Sequence, residues 1–215
     1  GEGRWVEEVD GSIPSRILPY LYLGSLRHAS SLVLMKKLSI YHIISVGEQL
    51  EWLLLPAFLK EHHVDVEEHQ MFDLCHITPK SSDVKDSVRT ILRVKNLQDD
   101  GIDELLDVLP VVLDFIERSY KTGNILVHCR VGVSRSATVV IAEVMKRLDL
   151  DLARAYMYVR VRRLNIVIQP NLKLMYELFK WEERVRKEQG KPLRQVDWFV
   201  MCREITRLNM PYLNA

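Results

Sequence analysis

The chain has 215 residues, 47% of them hydrophobic, with 30 lysines and arginines against 29 aspartates and glutamates. That length suits one substantial domain with a small extension, and the apolar content suffices for a buried core. The near cancellation of charge removes any bulk field toward nucleic acid or membrane, so attraction for anions has to be local.

The opening Gly1-Glu-Gly-Arg4 lacks an initiator Met and a signal-peptide pattern, and reads as excised from a longer protein or left by tag cleavage. The longest apolar runs, such as residues 52–59, are too short to span a bilayer. Cys75, Cys129 and Cys202 are widely spaced and odd in number, which suits a reducing compartment, cytoplasm or nucleus, rather than a disulfide framework. No Cys-x-x-Cys or His-x-x-x-His spacing points to a metal, and neither metal nor cofactor is expected. His62, His63 and His69 read as solvated histidines on a polar segment.

In chain order, residues 18–24 predict a strand ending at Gly24, 30–38 a short helix, and 41–46 a strand. Residues 51–61 read as a helix interrupted by Pro56. The stretch 62–87 alternates weakly and passes through a loop or helix start at 78–83. Residues 90–95 alternate like a strand, and 103–120 space their leucines like a helix, with a kink expected at Pro110. Residues 124–128 suit a buried strand, and helices follow at 136–148, 152–161 and 170–187. After the turn at Gly190-Lys-Pro192, Trp198, Phe199 and Met201 open a helix that packs back on the domain. Strands alternating with helices predict an α/β domain: a central, mostly parallel twisted sheet with helices on both faces.

The segment Val127-His-Cys-Arg-Val-Gly-Val-Ser-Arg-Ser136 joins the buried strand to a helix. Gly132 permits a tight turn, and consecutive N–H groups of Arg130, Val131, Gly132, Val133, Ser134 and Arg135 can converge on one anion ahead of the helix terminus. Cys129 sits at the lip of that cradle. An ordinary thiol, with pKa near ~8.5, is mostly protonated at neutral pH, and lowering it by about 3 units takes about 4 kcal/mol. A helix terminus supplies roughly 1–2 kcal/mol, and hydrogen bonds from N–H groups and Ser136 supply the rest. Arg135 can return to the mouth, where its planar fork matches two phosphate oxygens. His128 is expected to order the loop from behind by hydrogen bonding, without a proton-transfer role. A lone buried cysteine is usually an inert small hydrophobe, but the joint spacing Cys-x-x-Gly-x-x-Arg between strand and helix is specific. Asp99 and Asp100, on the loop before the next helix, both qualify as proton donor to a leaving oxygen, although Asp-Asp-Gly is also ordinary turn chemistry.

These residues resemble the dual-specificity protein phosphatases over most of residues 12–187. His128 to Ser136 fits that family's signature, residues 17–24 look like its opening strand, and Ile168-Gln-Pro-Asn171 is similar to the segment before its last helix. The resemblance implies that Asp99 is the general acid, with Asp100 the fallback, and that Cys129, Arg135 and Ser136 serve as nucleophile, phosphate clamp and thiolate partner. The implied substrates are phosphoproteins bearing phosphotyrosine, phosphoserine or phosphothreonine, with no nucleic acid or membrane partner. Relative to compact members, 62–87 is enlarged, about three residues are inserted around 165–167, and the tail is extra. Those features resemble a fungal, S-phase-linked branch. The expected layout is a lead at 1–11, a catalytic domain at 12–187 and a packed helical extension at 188–215.

Lysines that related inositol-lipid phosphatases carry in the loop are absent between Cys129 and Arg135. Lipid or RNA 5′-phosphate substrates therefore rank second, beside a low-turnover phosphoprotein-binding module and a sulfur-transfer domain. Among Arg160, Arg162 and Arg163, Arg163 could meet a second phosphate, although a solvated basic helix end is the plainer reading. Cys75 could form a protective disulfide with Cys129 but reads more simply as a core cysteine.

Overall fold

The computed structural model describes residues 11–84, 88–95, 105–130, 135–163, 172–193 and 198–213. Seven strands form one sheet in the order β1-β2-β7-β3-β6-β5-β4. The strands are β1 (Ser15–Leu18), β2 (Leu21–Ser25), β3 (Ile40–Val46), β4 (His62–Glu68), β5 (Phe72–Pro79), β6 (Thr90–Val94) and β7 (Asn124–Cys129). The central four, β2, β7, β3 and β6, are parallel; β1, β5 and β4 add antiparallel flanks. The expected parallel sheet is thus its centre.

Alternation along β7 divides the core. Ile125, Val127 and Cys129 face one hydrophobic cluster, while Leu126 faces the other. The first cluster is capped by α4 (Leu105–Ser119), α5 (Arg135–Leu148), α6 (Leu152–Arg162) and α7 (Leu172–Glu188). The second lies under α1 (Leu26–Ala29), α2 (Leu32–Lys37), a 3-10 turn at Glu51–Leu54 and α3 (Pro56–Glu61). Helix α5 is buried from Ser136 to Met145, so it is a core helix rather than a surface one. Each large aliphatic side chain buried there contributes about 1.5–3 kcal/mol.

Three expectations change. The apolar run at 18–24 holds parts of two strands, because Pro19 and Tyr20 turn the chain between β1 and β2. Arg16 locks that turn with Nε and Nη2 donating to the Pro19 carbonyl at 3.1 and 2.8 Å. The helix expected at 51–61 splits at Leu55, and Pro56 starts α3 at a position where a missing N–H costs nothing. The stretch after it opens with a long hairpin, β4–β5, and the loop expected at 78–83 begins once β5 ends at Pro79. Helix α4 runs through Pro110.

The last helix, α8 (Trp198–Leu213), lies on α7: the Trp198 ring is 5.4 Å from Tyr176 and 5.5 Å from Phe179, and Met201 is buried.

Candidate active site

Strand β7 ends at Cys129 and α5 begins at Arg135, which places both residues at the carboxyl end of the parallel sheet. Open α/β sheets place their ligand sites at that end. Val131, Gly132, Val133 and Ser134 lie outside the described residues, as do Asp99 and Asp100. The residues that bracket the loop are described. Ser136, fully buried in the first turn of α5, brings its Oγ to 3.2 Å from Cys129 Sγ. Cys129 thus faces a hydroxyl at the positive end of a helix.

Both ends of the loop are held. Leu26 N–H donates to the Arg130 carbonyl at 3.0 Å. The Glu48 carboxylate, just beyond β3, lies 3.4 Å from Arg130 Nε and 3.8 Å from Arg135 Nη2. Arg130 is largely exposed, so its contact contributes little; Arg135 and Glu48 are both mostly buried, and theirs orients the guanidinium.

His128 points to the opposite face and is fully buried. Its Nδ1 contacts the Cys129 carbonyl at 3.2 Å, which only a protonated ring nitrogen can do as donor. Nε2 therefore accepts from Ser45 Oγ at 2.6 Å. Burial lowers the His128 pKa to about 4, against the opposing effect of that carbonyl. A neutral imidazole thus ties β7 to β3 beneath the nucleophile's backbone. The register continues the line: Ser45 pairs with both His128 and Arg93, and Arg93 with Asp73. Arg93 Nη1 reaches Asp73 at 3.3 Å and Lys95 Nζ reaches it at 2.7 Å. A polar row therefore crosses four strands just behind the loop.

Replacing Ser45 with Ala is expected to destabilise the fold by about 1–3 kcal/mol, because it leaves His128 Nε2 buried without a donor. Urea unfolding of native and variant chains measures it.

His42 is also pulled to about 4 by burial, between the hydroxyls of Thr90 and Thr122, and burial lowers His28 too. Groups depressed in the folded state stabilise it fully above their ordinary pKa near 6.5 and lose that contribution as pH falls toward about 4. Buried Glu143 shifts upward and opposes them, but three histidines outweigh one glutamate. The urea midpoint is expected to fall between pH 7 and pH 5, with net proton uptake on unfolding.

Arg163 departs from both of its expected places, a second-phosphate contact and a solvated helix end. It is 4% exposed, and its Nη1 donates to Ser15 Oγ at 3.1 Å and to the Leu23 carbonyl at 2.8 Å. Burial lowers its pKa to about 10, partly offset by the attraction of Cys129. It is a buried cation under the site, not a surface hook. His62 departs too: instead of being solvated it is buried and stacked on Phe58 at 4.1 Å. Cys75 lies on β5, three strands from β7 and in the other hydrophobic cluster. That is about 14 Å away at ~4.8 Å per strand, beyond the ~7 Å a disulfide spans. Burial raises its thiol pKa, as for a core cysteine.

No motif in the sequence marks Glu48, Ser45, Arg93 or Asp73 as site residues. Glu48 alone has a positional signal: an acid two residues beyond a central strand's carboxyl end. A separate cleft of about 400 Å³, lined by Leu113, Met145, Trp181 and Val185, opens at the far end of α5. No helix among the described residues is long and apolar enough to cross a membrane.

Comparison with known proteins agrees with this geometry. The family model "Dual specificity phosphatase, catalytic domain" matches residues 21–184. The dual specificity protein phosphatase PPS1 of Saccharomyces cerevisiae is 43% identical over 94% of this chain, which spans only 28% of that protein. Dual specificity protein phosphatase 1 of Arabidopsis thaliana is 31% identical over 79% of this chain and 69% of its own length. A solved mouse putative dual specificity phosphatase, complexed with zinc tungstate, superposes with a TM-score of 0.61 at 25% identity, covering 84% of this chain and 93% of its own.

Proposed function

The chain belongs to the dual-specificity protein phosphatases, of the fungal type, and on that footing we propose that it hydrolyses phosphotyrosine, phosphoserine and phosphothreonine in proteins through a phosphocysteine intermediate. The observation that carries the reading is the 3.2 Å contact between Cys129 Sγ and Ser136 Oγ at the mouth of α5. An inert core cysteine has no need of a buried hydroxyl and a helix terminus on its sulfur.

In the first step the Cys129 thiolate attacks phosphorus in line. The S–P bond forms as the bond to the side-chain oxygen breaks, and Asp99, with Asp100 as the alternative, gives that oxygen its proton. Arg135, held by Glu48, and the N–H groups of residues 130–135 stabilise the equatorial oxygens. In the second step water attacks phosphorus, the same aspartate takes its proton, and the S–P bond breaks. Ser136 then donates to the departing sulfur, while buried Arg163 favours its anion from beneath. His128, neutral and bound on both nitrogens, positions the strand end and moves no proton.

Ser136→Ala is expected to lower kcat by about 10–100-fold, the worth of one hydrogen bond to a charged group. The loss falls on the second step, so rapid mixing shows a burst of dephosphorylated product followed by slow turnover.

We further take residues 12–187 as the catalytic domain, with 1–11 a lead and 188–215 an extension carrying α8. The site of action is taken to be the cytoplasm or nucleus, consistent with three free cysteines. Side-by-side turnover of phosphopeptides, inositol phosphates and triphosphate RNA tests the substrate class. Phosphopeptides are expected to lead; faster turnover of either rival overturns the assignment.

A further inference from the structure

Strand β4 forms one end of the sheet, and among the described residues no strand covers its outer edge. The ends of its ladder with β5 define which backbone groups point outward. His69 N–H donates to the Phe72 carbonyl and Lys80 N–H to the Glu61 carbonyl, both at 2.9 Å, across a register without a shift. Odd-numbered residues therefore pair inward, and the alternate ones turn away. The N–H and C=O groups of Val64, Val66 and Glu68 face the open edge.

Exposed edges are commonly guarded by charged side chains, lysine above all, by proline, by a bulge or by a covering segment. His62-His-Val-Asp-Val-Glu-Glu68 has no proline, no lysine and no bulge. Val66 is 51% exposed and sits across from Cys75, so it ends an apolar row that another strand could continue. Asp65, Glu67 and Glu68 are exposed and carry one sign of charge. Two copies of such an edge repel each other, while a basic strand is attracted.

We propose that β4 is a substrate-docking edge, to which a basic extended segment of the phosphoprotein adds as an eighth strand. This rests on the protein-phosphatase reading and adds the means of substrate selection. The edge leads toward the catalytic end, since Glu68 pairs with Asp73, which lies in line with Arg93, Ser45 and His128. A strand docked outside β4 lies five spacings from β7, about 24 Å. At least about seven extended residues then separate the basic segment from the phosphorylated residue.

Two phosphotyrosyl peptides test this, alike except for a Lys-Val-Lys-Val-Lys or a Glu-Val-Glu-Val-Glu stretch about ten residues from the phosphate, a length that spans the gap. The basic peptide is expected to show a KM about tenfold lower at equal kcat, from a few cross-strand charge pairs and the backbone ladder. Val66→Pro, which removes an outward N–H and spares the β5 ladder, and D65K/E67K/E68K are each expected to erase the difference. Turnover of para-nitrophenyl phosphate stays unchanged in both. In the native chain, amide hydrogen exchange at Val64, Val66 and Glu68 is expected to slow when the basic peptide is added, a readout independent of any variant's folding. Equal KM values for the two peptides, or unaltered exchange at those amides, overturn the proposal. So does a preference lost in the charge variant but kept in Val66→Pro, which is attraction without strand pairing. A dimer that Val66→Pro dissociates also overturns it, because the edge then belongs to a second copy. Absence of turnover on para-nitrophenyl phosphate and both peptides is the separate failure of the phosphatase reading, and it removes this proposal as well.

Discussion

Cys129→Ser is expected to lower kcat by about four to six orders of magnitude, the range for removing a nucleophile that acts with partners as a unit. The substitution exchanges one atom at a 4% exposed position, so packing and fold are retained. What disappears is the anion. A thiol gives up its proton far more readily than a serine hydroxyl, so of the two groups only sulfur at the end of β7, 3.2 Å from the Ser136 hydroxyl, supplies an anionic nucleophile. Binding should survive, because in the proposed mechanism Arg135 and the loop N–H groups, rather than sulfur, hold the phosphate. The variant is therefore expected to bind a phosphopeptide with native affinity by calorimetry while failing to turn it over, and to capture phosphoproteins from an extract. A binding module gives a different pair of results: a native chain already near zero turnover, and a variant indistinguishable from it.

Arg135→Lys is expected to cost about 10²–10³-fold in kcat/KM, comparable to losing an electrostatic donor from a transition-state clamp. Charge is conserved in this exchange, so the loss measures geometry. In the proposed mechanism the guanidinium offers two parallel N–H donors to the phosphoryl oxygens while its Nη2 lies 3.8 Å from Glu48. An ammonium cannot satisfy both at once, and the nearby Glu48 carboxylate competes with substrate for it. Steady-state kinetics on a phosphopeptide check the rate. Weaker competition by inorganic phosphate accompanies it if the fork acts in the ground state as well.

The legible parts of the fold are those in which one short segment carries the whole signal. Strand β7 and helix α5 were readable because an apolar β-branched run, a glycine loop and a helix follow each other without a break. The proximity of Ser136 to Cys129 follows from that same local spacing. The β1–β2 turn was hidden because Leu18, Leu21 and Leu23 flank Pro19 and Tyr20 on both sides, leaving no polar break between two strands. The β4–β5 hairpin was illegible for a different reason. In this edge strand only His62 is buried and Val64 half-buried, while Asp65, Val66, Glu67 and Glu68 are exposed, too little of a buried face to impose a period of two. Ser45, Arg93 and Asp73 come to the site by strand register, and nothing in a single sequence says which strands are neighbours. Arg163 was misplaced because a basic helix end looks alike whether it faces water or, as here, turns inward to Ser15 and the Leu23 carbonyl.

The central place of β7 has a consequence for the order of folding. Its neighbours β2 and β3 both belong to the first quarter of the chain, so every ladder bond beside Cys129 closes a long loop. Long closures are slow, whereas the β4–β5 hairpin and the helical hairpins form from near neighbours. Until β7 inserts between β2 and β3, its cysteine has neither a buried floor nor a fixed helix end beside it, and it is an ordinary thiol. The environment that sets this cysteine apart therefore depends on pairings that close long loops, and the local segment alone does not complete it.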